Sequence, residues 1–158
     1  MKTGIMLMLA ALMVSVPAMS WAQGPSFAGM WKLEKAEPLP NAGGRGRGGG
    51  APRDESAFGA VTQAVTISQT AGEVSVQSGP KKATYALDGK QTVVPAGDVN
   101  GLKTWAHWDG AKLHLHFKQG MNWGRDILSV NGASLSVVRD IESGGGSTTR
   151  TIVYAKGQ

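Results

Sequence analysis

All three histidines of the chain fall within ten residues, in a stretch where polar and apolar side chains alternate. With Asp109-Gly110 as a two-residue hairpin turn, His107 lies across from Lys112, and His114 and His116 share one strand face. His107 and His114 are then diagonal neighbours on adjacent strands. A His-x-His strand with a third histidine beside it is a known geometry for zinc. His107, His114 and His116 are therefore candidate metal ligands.

The residues around these histidines favour a solvated hairpin face over a metal site. The histidines point away from the apolar side of the hairpin, and Lys112 and Lys118 would repel a cation. No carboxylate is placed where it would orient an imidazole ring. In this alternative Trp105, across from His114, packs against that ring.

Two opposite charges lie on the apolar face of a second hairpin. With Asn131-Gly132 as its turn, Asp126 is in phase with Leu128, and Arg139 is in phase with Val137. The two charged residues are then diagonal neighbours, and burying either of them alone would cost several kcal/mol. We predict an internal ion pair. In the alternative, Arg139 binds the carboxylate of a ligand in a mostly apolar pocket.

Aromatic residues complete the predicted interior. Trp108 falls on the apolar face of the first hairpin together with Phe117, and Tyr85 falls on the apolar face of an earlier strand. Such residues either line a pocket for an apolar ligand or fill the centre of a small barrel.

The sequence offers little for an enzyme. Its carboxylates are scattered, and no Ser, His and acid set can be assembled on one strand face. Asp109 is explained by its turn. The glycines between 43 and 50 lack the Gly-Lys-Ser/Thr ending of a phosphate-binding loop. We therefore expect no enzymatic activity and no cofactor.

Short strands must position these residues. From Val61 onward polarity alternates with a period close to two, and turn dipeptides such as Asp-Gly and Asn-Gly separate the runs. A twisted antiparallel sheet of this size closes on itself and loses its exposed edges. The predicted fold class is all-β, a single up-and-down meander barrel of eight to ten strands. The predicted strands are 28–34, 61–69, 73–78, 82–88, 91–95, 102–108, 111–118, 125–130, 133–142 and 148–156, with helix only at 53–60.

The chain of 158 residues begins with the features of an export signal. Lys2 precedes an apolar run over 4–16, and Ser20 and Ala22 are the small residues that a signal peptidase requires. We predict a signal peptide over 1–22 and one β-barrel domain over 23–158, periplasmic or extracellular. The apolar run is too short to span a bilayer with its flanks, and no second run follows, so we expect no membrane span.

The amino-acid composition excludes several kinds of covalent and metal site and restricts the expected binding partners. The chain has no cysteine, which excludes disulfides, a cysteine zinc site and a lipidated cysteine. Six glycines and two arginines between 43 and 50 cannot bury enough apolar area to order the segment, so we predict a flexible loop at about 38–57. Two arginines are too few to predict RNA binding, and nucleic acid is not an expected partner.

Four segments of the chain carry a recognisable pattern. Its residues are Phe27, Gly29, Trp31, Lys32 and Leu33; Trp108, Asp109, Gly110, Lys112 and Leu113; Leu128, Ser129, Gly132, Leu135, Val137 and Arg139; and Lys156. The pattern resembles that of a group of small exported bacterial β-barrel domains, lipocalin-like in shape and mostly uncharacterised. The resemblance implies a barrel fold and a binding module, and it brings no established activity. Because Gly29-x-Trp31 is similar to the opening motif of lipocalins, it also implies that Trp31 closes the barrel base.

We therefore expect an exported, non-enzymatic, lipocalin-like barrel that binds a small apolar ligand in its interior, and a monomer is assumed. The alternative is a solid-cored accessory or interaction module of the cell envelope without a small-molecule ligand. A cavity reached from one rim favours the first interpretation, and a filled interior favours the second. The predicted ligand-binding residues are Trp108, Tyr85, Phe117, Arg139 and Asp126.

Overall fold

A computed structural model of the chain describes residues 24–38, 62–93, 102–120, 122–143 and 146–157. The predicted signal peptide, the helix predicted at 53–60 and the glycine-rich tract lie outside these ranges. The described part of the chain contains no helix long and apolar enough to cross a membrane.

All ten predicted strands are present. Strand β8 is longer than its sequence pattern indicated, since it begins at Asn122. The fifth strand is shorter than predicted and has only two residues. The strands are β1 (Gly29–Ala36), β2 (Ala64–Gln69), β3 (Glu73–Ser78), β4 (Lys81–Ala86), β5 (Thr92–Val93), β6 (Lys103–Asp109), β7 (Lys112–Gln119), β8 (Asn122–Asn131), β9 (Ser134–Ser143) and β10 (Gly146–Lys156).

The strands form one antiparallel sheet in the order β4-β3-β2-β1-β10-β9-β8-β7-β6-β5. Each strand pairs with its neighbours in sequence except between β4 and β5, and β1 pairs with β10. At the gap, the Thr104 hydroxyl on β6 donates a hydrogen bond of 2.6 Å to the Thr84 carbonyl on β4. The sheet is a nearly closed barrel, and the predicted up-and-down barrel is confirmed.

The two central hairpins turn one residue later than predicted. The turn residues are Gly110-Ala111 and Gly132-Ala133, and only the glycine of each has a positive φ, at 57° and 58°. A type II′ turn needs positive φ at its first central position alone, whereas the expected type I′ turn needs it at both. Because the pairing shifts by two residues, every side chain keeps its predicted face.

The inner face holds a main apolar cluster to which every strand except β5 contributes. Three aromatic side chains in and beside this cluster pack together. Trp31 Nε1 donates a hydrogen bond of 2.8 Å to the Phe27 carbonyl, and the Phe27 ring stacks on Trp108 with ring centres 5.8 Å apart. A smaller cluster of Leu102, Phe117 and Ile141 lies toward the other end of β6, β7 and β9. The interior thus contains two apolar clusters, and aromatic side chains pack together in the larger one.

Candidate functional site

Three charged side chains lie inside the barrel on neighbouring strands. Asp126 on β8 is paired in register with Arg139 on β9, which is paired in turn with Arg150 on β10. Asp126 and Arg139 have no exposed surface, and Arg150 is 7% exposed. Along β9, Arg139 follows Val137 of the main cluster and precedes Ile141 of the smaller one. A charged layer therefore separates the two apolar clusters.

Asp126 and Arg139 form the internal ion pair that the apolar phase of their hairpin predicted. Arg139 Nε donates to Asp126 Oδ1 at 2.8 Å, and Arg139 Nη2 donates to Oδ2 at 3.3 Å. The predicted diagonal arrangement is wrong, because the shifted turn sets the two residues directly opposite each other. This forked geometry satisfies both carboxylate oxygens and makes the burial of two charges tolerable.

Arg150 is the interior residue that the sequence analysis missed. Thr148, Arg150, Ile152 and Tyr154 alternate along β10, and the last three of these are buried. The same period of two that identified Arg139 applies to this strand. Arg150 adds a second guanidinium to an interior whose described buried residues include one carboxylate, Asp126.

The aromatic residues predicted to line a ligand pocket are not gathered at one place. Tyr85 is fully buried in the main cluster, and the half-buried Trp108 lies against Phe27. Phe117 belongs to the smaller cluster beyond the charged layer. Trp31 is 1% exposed, and its role at the barrel base stays a prediction. The ligand-binding roles of these residues stay predictions.

Gly124 lets Phe117 pack in the smaller cluster. A Cβ at position 124 would lie 2.4 Å from Phe117 Cζ and 2.6 Å from the Asp140 carbonyl oxygen. Neither distance is compatible with a side chain larger than hydrogen. The aromatic ring therefore occupies the space that the glycine leaves on the inner face of β8.

The three histidines form a cluster on the outer face of the β6–β7 hairpin. His107 is directly opposite His114, and His116 is opposite Trp105, whereas Lys112 pairs with Asp109. The predicted pairings of His107 with Lys112 and of Trp105 with His114 are wrong by two residues, because the hairpin turns one residue later than predicted. One ring nitrogen from each histidine lies within 4.8 Å of the others.

This face is not the solvated surface that the alternation indicated. His107 is exposed, but His114 is 8% exposed and His116 is half-buried. Trp105 stacks on His116 with ring centres 5.0 Å apart and planes 5° from parallel. The Nε2 atoms of His114 and His116 are buried and make no hydrogen bond with the described residues. Asp109 Oδ2 lies 3.7 Å from His114 Nε2, a neighbouring carboxylate that the sequence analysis did not foresee.

Burial keeps two of the imidazoles neutral at neutral pH. Desolvation, helped by the nearby His107, His114 and Arg125, lowers the pKa of His116 to about 4. Desolvation is also the main cause that lowers the pKa of His114, where His107 and Arg125 act in the same direction and Asp109 opposes them. A neutral imidazole ring has one unprotonated nitrogen, which can donate an electron pair to a metal ion.

Similarity to proteins of known structure lies in the fold. No family model matches the chain, and no curated protein matches it in sequence. A secretory abundant heat soluble protein of Ramazzottius varieornatus superposes with a TM-score of 0.59 at 16% identity, covering 85% of this chain and 98% of that one. Fatty-acid-binding protein 1 of Echinococcus granulosus gives 0.52 at 15% identity, with 84% and 98% covered. Lipid binding protein 8 of Caenorhabditis elegans gives 0.53 at 18% identity, with 83% and 95% covered.

Identities this low establish a shared architecture and nothing finer. The chain has the fold of lipocalin-like and fatty-acid-binding-protein-type barrels. The resemblance to a specific bacterial group, and the motifs that suggested it, stay predictions.

Proposed function

We propose that this exported barrel binds one small amphipathic anion, with its charged head at Arg150, beside the Arg139–Asp126 pair, and its apolar part among the smaller cluster. The observation that carries the proposal is the charge of the interior. Among the described residues, two arginines and one aspartate are buried there. Counted over these described residues alone, the formal charge of the layer is positive.

An anionic head group would balance that charge. Arg139 engages both oxygens of Asp126, and a bound anion would add a further acceptor of negative charge beside the two guanidinium groups. A guanidinium binds carboxylate or phosphate oxygens through two parallel hydrogen bonds, and such charge-assisted bonds are stronger than neutral ones. Arg150 is the group we expect to make them.

The packing of the main cluster indicates where the apolar part of the ligand would lie. Phe27 and Tyr154 have no exposed surface and Trp31 has 1%, so no water-sized void adjoins these side chains. Among the described residues, the smaller cluster beyond the charged layer consists of Leu102, Phe117 and Ile141. Because this cluster is small, we propose a ligand with a short apolar chain rather than a long one.

The structural neighbours support a binding protein rather than an enzyme. Two of them are named for binding fatty acids or lipids, and a third solved neighbour is described as a fatty acid transporter. Acids with an apolar chain are the ligand class that two interior arginines would suit. We accordingly propose a non-enzymatic role.

Export is part of the proposal and has its own support. Residues 24–28 belong to the barrel, since Phe27 is buried in the core and Gly24 lies against the Trp108 ring. Cleavage after Ala22 would leave this segment intact. We expect the mass of the exported protein to correspond to an N-terminus at Gln23, and an exported form that retains Met1 would contradict the proposal.

Titration calorimetry with decanoate, and with decanol as the uncharged comparator, tests the proposed site. We expect decanoate to bind with one-to-one stoichiometry, and Arg150→Gln to weaken it by at least about tenfold while decanol changes little. Lys103→Gln, which removes the same charge from an exposed position on β6, should leave decanoate binding unchanged.

Thermal unfolding must first show that Arg150→Gln is folded, and Arg150→Lys, which keeps the charge, should retain most of the affinity. The solid-cored alternative predicts no binding of either compound to the wild type. Equal losses in Arg150→Gln and Lys103→Gln would mean that decanoate binds to the surface.

A further inference from the structure

We propose that His107, His114 and His116 form a binding site for a divalent transition-metal ion on the outer face of the β6–β7 hairpin. The ion would be of the zinc, nickel or copper class. The site is separate from the interior, because these side chains project from the opposite face of the sheet to Leu113, Leu115 and Phe117.

The backbone already brings the three rings together. His114 and His116 are two residues apart on β7, and His107 is directly across the ladder from His114. The ring centres of His107 lie 4.8 Å from His114 and 5.0 Å from His116. One nitrogen of each ring lies within 4.8 Å of the others. Tetrahedral coordination at zinc–nitrogen distances of 2.0–2.1 Å places ligand nitrogens about 3.3 Å apart, so small side-chain rotations would complete the site.

The nitrogens at this cluster are available as ligands. The Nε2 atoms of His114 and His116 are buried and make no hydrogen bond to any described residue. A buried polar atom without a partner costs free energy, and a cation bound at either Nε2 would satisfy that atom. Trp105 stacks on His116 and limits the movement of that ring. The ligands are therefore partly oriented before any ion arrives.

The positive side chains around the cluster oppose a cation, and two carboxylates partly offset them. Arg125, across from His116 on β8, forms an ion pair with Asp140 at 2.8 Å. Lys112 is paired in register with Asp109, whose carboxylate lies 3.7 Å from His114 Nε2. Asp109 is exposed and close enough to supply a fourth ligand or to orient a metal-bound water.

The donor set selects the class of metal. Three imidazoles suit zinc, copper and nickel, whereas calcium and magnesium prefer oxygen ligands. Three protein ligands leave a fourth coordination position open to water or to Asp109. We therefore expect zinc binding and no competition from calcium or magnesium.

Equilibrium dialysis of untagged protein against Zn²⁺ tests the proposal. We expect one ion per chain, and we expect His107→Asn and His116→Asn each to weaken zinc affinity by at least about 100-fold. Lys118→Asn, an outward position two residues beyond His116, serves as the control and should not weaken binding. His107 is exposed, so the first variant is expected to fold, and the dialysis of that variant decides if His116→Asn does not.

A second readout separates a built site from loose association with surface histidines. Wild-type protein loaded with Co²⁺ should show the intense visible absorption of four- or five-coordinate cobalt, and His107→Asn should lose it. Zinc affinity unchanged in His107→Asn, or a cobalt spectrum like that of the hydrated ion, would overturn the proposal. Neither result depends on the interior ligand, so the two proposals can fail separately.

Discussion

Two ion pairs of opposite polarity cross the ladder between β8 and β9 at adjacent positions, one on each face of the sheet. On the outer face Arg125 binds Asp140, and on the inner face Asp126 binds Arg139. Their shortest distances are both 2.8 Å. The outer side chains are 40% and 26% exposed, whereas the inner ones have no exposed surface. The two pairs therefore share their shortest distance and differ in their exposure to solvent.

The difference teaches that burial, and not bond length, decides what an ion pair does in this barrel. Water screens the outer pair and can replace either partner, and Thr149 also hydrogen-bonds to Asp140. Water has no access to the inner pair, so losing one partner leaves a charge in a low-dielectric interior. We therefore expect the inner pair to dominate stability, and the inner face to respond to small changes that the outer face tolerates.

Breaking the inner pair should have the largest effect. Arg139→Met leaves Asp126 buried without its main partner and should lower the free energy of unfolding by about 3 kcal/mol or more. Asp126→Leu combined with Arg139→Met removes both charges and should recover much of that loss. Urea unfolding of the two variants measures both effects. A cost below about 1 kcal/mol for Arg139→Met would contradict the burial of this pair.

A single methyl group tests the packing beside the inner pair. Gly124→Ala places a Cβ against the Phe117 ring and the Asp140 carbonyl, and it should cost about 1–3 kcal/mol because the core must shift. Gly72→Ala is the matched control, since a Cβ there would meet no atom within 4 Å. Thermal unfolding compares them. Equal melting temperatures for both variants would mean that the inner face is loosely packed.

Lowering the pH should destabilise the folded protein through the protonation of His116 on the outer face. Its pKa is about 4 in the folded protein against 6.5 for the ordinary value, so the unfolded chain binds the proton first as pH falls. The stability that neutral His116 contributes is therefore present above pH 6.5 and is lost as the pH falls toward 4.

The difference between wild type and His116→Gln isolates this contribution from that of the carboxylates. We expect the wild type to lose about 1 kcal/mol more than the variant across this range, after allowance for solvent screening of a half-buried ring. Urea unfolding at several pH values provides the measurement. Parallel pH profiles for the two proteins would show that the ring is solvated in the folded state.

Breaking the outer pair should have the smallest effect. Arg125→Gln should cost less than about 1 kcal/mol, and added salt should reduce that cost further, because the pair is half exposed. The same urea series used for Arg139→Met supplies the number. A cost as large as that of Arg139→Met would remove the distinction between the two faces.

The alternation of side chains was enough to predict the strands and their faces. Asp126 and Arg139 could be assigned to the interior because both are in phase with leucine and valine, and a shift of two residues preserves that assignment. The exact pairing was not predictable in the same way. It depends on whether glycine takes the first or second turn position, and Asp-Gly-Ala and Asn-Gly-Ala permit both.

The alternation of polar and apolar residues could not predict which side chains are buried on the outer face. Periodicity shows which way His116 points, but not that Trp105 stacks on it or that its nitrogen is covered. Those contacts come from neighbouring strands and need the correct register. The burial of Arg150, in contrast, could have been predicted, because the sequence places Arg150 in phase with Ile152 and Tyr154.

Native mass spectrometry of the protein, produced with its export segment and purified without detergent, tests the central claim most directly. We predict a single non-covalent adduct on the wild-type barrel, released as a small organic anion with an apolar chain. The adduct should be absent from a folded Arg150→Gln variant and present in Lys103→Gln. A wild-type spectrum with the polypeptide mass alone, together with no heat on decanoate titration, would contradict a ligand-binding interior and favour a solid-cored module.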